Sequence, residues 1–309
     1  MGGPPHVGGI GRAESMHKLL WKRGLVAAAS GALLAMASVL PAAAAGGPPP
    51  AATALRVLAN QHFANLADES INWGGYVVTS PGNTAVSGTW TVPKVVSPPE
   101  GGSGGGTAGS AAAIGIGGYN TADLIALGTE QDLGSGGSGG SGPTAAPVYY
   151  AWYELAPAAQ TKISALTVHA GDVVHGAITM VGADSWKIFL KDLTTGAHFA
   201  TTVTYSSSES SAEWLVADPS PVTAPESGSG GGPTTVSVLP LADFGTLSVS
   251  HALVREDGST TSIGARTHLG VIMVSAGEGG SGGGGVPEVD LGPVTPSGSF
   301  TVTYIPPAD

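Results

Sequence analysis

The chain of 309 residues contains no cysteine. Disulfides and thiolate metal sites are therefore excluded, and an extracellular fold must rest on its apolar core alone. Positive charge is also scarce: 11 Lys and Arg stand against 22 Asp and Glu, for a net charge of −11. Such a surface repels nucleic acid and anionic membrane, so neither is expected as a partner. None of the glycine tracts ends in Gly-Lys-Ser/Thr before a helix, which excludes a phosphate-binding loop. No Gly-Xaa-Ser-Xaa-Gly elbow lies between a strand and a helix, so a serine nucleophile is unsupported. His169 and His175 are the nearest histidine pair, split by a turn signal at Gly171 and Asp172. No third ligand is spaced to join them, so neither a metal nor another cofactor is expected.

From Met16 the chain reads "MHKLLWKRG", then the apolar run "LVAAASGALLAMASVL", then "PAAAAG". A basic start, a short apolar stretch and small residues at an Ala-Xaa-Ala-like site describe a secretory signal peptide. The apolar run is shorter than the roughly 20 residues a membrane span needs. Residues 1–45 are thus read as leader and signal, with Met16 as the natural initiator. The remaining chain is expected to be secreted, away from the membrane, and monomeric. Residues 46–70 form an N-terminal segment, a propeptide or a helix, since "ATALRVLANQHFANLA" (52–67) has apolar residues at helical spacing. Residues 71–309 are expected to form one domain.

That domain reads as all-β. Runs such as "GGYVVTS" (74–80), "AVSGTWTVP" (85–93), "AAIGIGGY" (112–119) and "VYYAWYELA" (148–156) lie between Gly and Pro signals. About a dozen short strands of this kind predict a sandwich or barrel. Three tracts, "GGSGGGTAGS", "GSGGSGGSGP" and "GEGGSGGGG", interrupt the pattern and read as surface loops.

Aromatics make up 6% of the chain, so their positions carry information. Strand alternation sends Trp152 and Tyr153 to opposite faces and puts Glu154 beside Trp152. An aromatic ring and a carboxylate on one concave sheet face suit a groove for a peptide or a sugar.

The segments "INWGGYVVTS", "VSGTWTVPKV", "IGIGGYNTADLIALGTEQDL", "YYAWYELAP", "HAGDVV", "DLTTG", "SSAEWLVADPS" and "PLADFGTLSVS" follow one another in an order that resembles the eqolisins, the glutamic peptidases. The resemblance implies a lectin-like sandwich of two antiparallel sheets, one bent to form the substrate groove, with a polypeptide as substrate or ligand. It also implies a mechanism in which a Glu activates water as general base and a Gln amide stabilises the oxyanion. By motif position, the Gln falls at Ala126 and the Glu at Ala217, four residues after Glu213. Both roles are then unfilled, which implies an inactive peptide-binding homologue. An active acid endopeptidase and a carbohydrate-binding sandwich are the alternatives. Ala113 stands where the family usually has Trp, whereas Trp73 and Glu154 match groove positions. Glu130 and Glu213 share the expected face but lie roughly 13 Å along it from Ala126 and Ala217 respectively, and Gln131 belongs to the opposite face.

Overall fold

The chain divides into residues 1–49 and residues 50–309, and only the second unit contains described residues. The computed structural model describes residues 54–56, 69–98, 108–134, 146–223, 235–236, 239–275 and 285–307, with only the backbone of 54–56, 220–223 and 235–236. Residues 1–45, expected to be leader and signal, and most of the three glycine tracts lie outside the described residues.

Strands dominate. In chain order they are β1 (Ala54–Arg56), β2 (Glu69–Ser70), β3 (Trp73–Val78), β4 (Asn83–Thr91), β5 (Ala108–Gly117), β6 (Leu124–Leu133), β7 (Val148–Leu155), β8 (Thr161–Lys162), β9 (Val173–Gly182) and β10 (Ser185–Asp192). There follow β11 (His198–Thr204), β12 (Ala212–Ala217), β13 (Ser220–Thr223), β14 (Thr235–Val236), β15 (Thr246–Glu256), β16 (Ser259–Ser262), β17 (Leu269–Met273), β18 (Val289–Leu291) and β19 (Phe300–Tyr304). A single turn of 3₁₀ helix follows β16.

Two differences from the sequence reading concern the ends of elements. Of the helix expected over 52–67, the three described residues form β1, which pairs with β13; the rest lies outside the described residues. Helical spacing in a short apolar run does not by itself exclude a strand. The first glycine tract was expected to be loop through Ser110, yet β5 begins at Ala108, because Ala108–Ser110 pair with Gln131–Leu133 of β6.

Two large sheets pack as a sandwich. The first runs β2-β17-β3-β12-β5-β6-β7-β8, and the second runs β11-β10-β9-β4-β15-β19-β18 with β16 added on β15. All pairings are antiparallel except β2 with β17. In the second sheet, β9 and β10 alternate buried and partly exposed residues, the period of a strand with one wet face. By contrast β3, β5 and β12 are buried at every position. Both faces of these central strands are therefore shielded from water, and only one of them is the sandwich core.

That core is fixed by two tryptophans that cross it in opposite directions. Trp214, on β12 of the first sheet, donates its indole N–H to the carbonyl of Ser87 on β4 of the second at 2.7 Å. Trp90, on β4, donates its own to Thr129 Oγ1 on β6 of the first at 3.0 Å. Each ring also needs a glycine opposite. A Cβ on Gly88 would stand 3.0 Å from Trp214 Cδ1, and one on Gly176 would stand 3.0 Å from Trp90 Cη2. Around them Ile114, Ile116, Ile125 and Leu127 from the first sheet meet Ile178, Ile188 and Leu190 from the second. Tyr153 packs against this core while Trp152 belongs to the outer face, as alternation requires.

Trp214→Ala removes a fully buried indole and its inter-sheet hydrogen bond. The expected loss is about 3–5 kcal/mol of unfolding free energy, read as a lower urea midpoint with an unchanged slope.

Candidate active site

With Trp214 pointing inward, its neighbour Glu213 must point outward, and the antiparallel register decides what it meets. Glu213 lies between Val77 on β3 and Gly115 on β5. Gly115 is opposite Ala126 on β6, and Ala126 is opposite Glu154 on β7. One row across the first sheet thus reads Val77, Glu213, Gly115, Ala126, Glu154. Two carboxyl side chains flank the two smallest residues available.

Glu213 leans into the space that Gly115 leaves. A Cβ on Gly115 would stand 3.0 Å from Glu213 Oε2 and 2.9 Å from Leu124 Cδ1, so glycine is required for this approach. Ser211 Oγ donates to Glu213 Oε1 at 2.9 Å and fixes the carboxyl plane. Oε2 is buried and has no hydrogen-bond partner among the described residues. Leaving a buried carboxyl oxygen unmatched costs stability, and native structures keep such groups for a reason. Burial is the main influence on its acidity: together with the nearby Asp123 charge, and against the Ser211 hydrogen bond, it pushes Glu213 up to about 8.

The outer face around this row is apolar. Trp73, Val77, Ala113, Leu124, Trp152 and Leu215 belong to one cluster, in which Trp73 meets Tyr119 edge to face at 6.3 Å between ring centroids. The expected groove residues Trp73, Ala113, Glu154 and Glu213 are all on this face. All four are buried, with exposures of 5%, 5%, 1% and 2%. This part of the face is closed to solvent.

Ala217 does not join the row. It lies opposite Trp73 and Ala111, and Ala111 lies opposite Glu130, in a row four residues from Glu213. That offset is roughly 13 Å along the strand, on top of two strand spacings of about 4.8 Å each to reach β6. Ala126 and Ala217, the two expected dyad positions, thus share a face of the sheet but stand in different rows. The residue that shares a row with Ala126 is Glu213. Gln131, as expected, faces the opposite side, where Ser110 Oγ donates to its Oε1 at 3.1 Å.

The Ala217 row holds a second acidic group. Gln160 Nε2 donates to Glu130 Oε2 at 2.6 Å. Burial, then the Asp132 charge, pushes Glu130 up to about 8. Asp132 and Glu288 are raised chiefly by burial. Asp218 is held well above the usual carboxylate range, first by burial and then by Glu288 and Glu130. The sequence reading placed Glu130 on the right face but missed Gln160, because the β7–β8 turn that delivers it carries no motif.

The two-sheet sandwich is the fold of the glutamic peptidases. Residues 71–277 match the Peptidase A4 family, and the chain belongs to that family. Aspergillopepsin-2 of Aspergillus niger is 31% identical over 210 residues, which are 62% of this chain and 66% of that protein. The chain thus spans just under two thirds of this relative's length. The fold is similar to that of scytalido-glutamic peptidase solved with a transition state analog inhibitor, with a TM-score of 0.57 and 21% identity. It is also similar to SCP-B, an eqolisin in complex with the tripeptide Ala-Ile-His, with a TM-score of 0.54 and 19% identity. Each likeness covers 76% of this chain and 99% of the solved chain.

The raised carboxyls make stability depend on pH with a definite sign. Unfolding lets Glu213 and Glu130 ionise near 4.5, whereas the fold holds their protons up to about 8. The folded state therefore binds more protons between these values, and stability is full in acid and falls as pH rises through that window. At about 1.4 kcal/mol per pH unit, a carboxyl held this far up costs several kcal/mol by pH 8. The melting temperature should decline from about pH 4.5 to pH 8, and Glu213→Gln should flatten the decline. A melting temperature that rises over this range would contradict the assignment.

Proposed function

We propose that the chain is a secreted, polypeptide-binding glutamic-peptidase homologue in which Glu213 holds the general-base position and the amide donor is missing at Ala126. The observation that carries this reading is Glu213 Oε2, a buried and unmatched oxygen lying over Gly115 toward Ala126. Export rests on the basic, apolar and small-residue succession of residues 16–45.

The chemistry follows from the row. An ionised Glu213 takes a proton from a water molecule held over Gly115, and the hydroxide forms a C–O bond to the scissile carbonyl carbon. The tetrahedral oxyanion then collapses, the C–N bond breaks, and the proton on Glu213 passes to the leaving amine. Stabilising the oxyanion requires a hydrogen-bond donor, and the methyl group of Ala126 has none to give. Losing one such donor costs about 10²–10³ in rate. In the closed row Glu213 keeps its proton up to about 8, so it becomes a base at lower pH only when entering polypeptide and water restore its solvation.

Glu154, opposite Ala126, lies on the far side of the row from Glu213 and takes the role of a groove-lining carboxyl. Trp73 and Trp152 supply apolar walls for substrate side chains. Ala113 leaves open the place where the family usually has Trp.

Ala126→Gln alone should raise acid hydrolysis of denatured protein at least about 100-fold. Adding Glu213→Gln should abolish the gain, while Ala217→Glu should neither create activity nor improve Ala126→Gln. Activity that requires Glu at 217 would sink the Glu213 assignment. A folded Ala126→Gln protein that still binds peptide but stays inert from pH 2 to 6 would sink the claim that the donor alone is missing.

A further inference from the structure

The opposite side of the molecule carries a surface that peptide hydrolysis does not use. In the second sheet, β4, β9 and β11 contain neither Asp nor Glu. The one acid of β10, Asp192, is fully buried, where it accepts hydrogen bonds from the Thr194 and Thr195 backbone. The side chains that β9, β10 and β11 turn outward include His175, Lys187, Lys191 and His198, the last two directly opposite each other. In a chain of net charge −11, this is a cationic, acid-free face; Asp184 stands at its rim, in the β9–β10 turn.

Phe189 sits between the two lysines on β10. Its ring is partly exposed, with Lys187 Nζ 6.0 Å from the centroid and the His198 ring 6.1 Å away at a 36° tilt. A depression of about 200 Å³ opens here, lined by Ala177, Thr179, Lys187 and Phe189. That is below the ~300–1,000 Å³ of a drug-sized cleft and suits one small ring. His175 adds a polar edge through its 2.9 Å hydrogen bond with Thr89 Oγ1.

We infer that this face binds an acidic polysaccharide, with one sugar ring on Phe189 beside Thr179 and the sugar carboxylates on Lys187 and Lys191. The charge spacing selects this class. Lys187 and Lys191 are four residues apart on one strand face, roughly 13 Å, whereas duplex DNA presents a charge about every 1.7 Å and is held by many closely set cations. Two separated lysines flanking an aromatic ring match a polymer with sparse carboxylates and apolar ring faces. Binding here is independent of the Glu213 row, which lies on the outer face of the other sheet.

The test is affinity electrophoresis of the whole secreted chain in gels containing polygalacturonate, with dextran as the neutral polymer and duplex DNA as competitor. Polygalacturonate should retard the protein, high salt should release it, and dextran should have no effect. Lys187→Ala with Lys191→Ala should weaken retardation at least about 10-fold, Lys187→Glu should weaken it further than Lys187→Ala, and Phe189→Ala should weaken it at unchanged charge. Lys94→Ala and Glu213→Gln should leave it unchanged, and thermal melts check that each variant is folded. Absence of retardation, or retardation indifferent to the lysine pair, would overturn the site. Competition by duplex DNA as effective as by polygalacturonate would overturn the sugar assignment.

Discussion

The architecture depends on two indole hydrogen bonds that cross the sandwich in opposite directions, Trp214 to Ser87 and Trp90 to Thr129. Each ties a strand of one sheet to a strand of the other and decides which face of that strand is inside. Because strand side chains alternate, fixing Trp214 inward sends Glu213 and Leu215 outward, and fixing Thr129 inward sends Gly128 and Glu130 outward. A slip of one residue in β12 would bury Glu213 in the apolar core and expose Trp214. The position of the candidate base is therefore a consequence of core packing.

The outer face of the first sheet and the end of β12 concentrate carboxyl groups where water is excluded. Glu130, Glu213 and Asp218 are each 2% exposed or less, and burial raises all three above their ordinary range. Such groups are cheap to bury while protonated and costly once ionised. The same desolvation that makes the fold favour acid keeps Glu213 neutral until its surroundings are opened. Stability and chemistry make opposite demands on this carboxyl, and its state of solvation sets which prevails.

The row Glu213, Gly115, Ala126, Glu154 sets two carboxyls around the two smallest side chains. Gly115 provides the approach for the carboxyl, and Ser211 orients it. Across Gly115 there is only a methyl group. Ala217 stands in a different row, with Trp73, Ala111 and Glu130.

Much was legible in the sequence. Period-two alternation and regular Gly and Pro signals determined an all-β domain, the order of the motifs indicated the family, and alternation alone separated Trp152 from Tyr153 and Gln131 from Ala126. These are local properties, carried by residues close together in the chain. Which residue of β12 stands across β5 from Ala126 is not local. Residues 126 and 213 are brought into one row by hydrogen-bonded pairing through Gly115, and no spacing within either motif encodes that register. Ala217, four residues beyond Glu213, keeps the same face because four is even, and lies in the row of Trp73, Ala111 and Glu130. The acid-free face of β9, β10 and β11 likewise exists only because separate hairpin strands align their outward residues. Fold class, strand face and family followed from the sequence; proximity across strands was decided by tertiary pairing, because hydrogen-bond register is a property of two strands together.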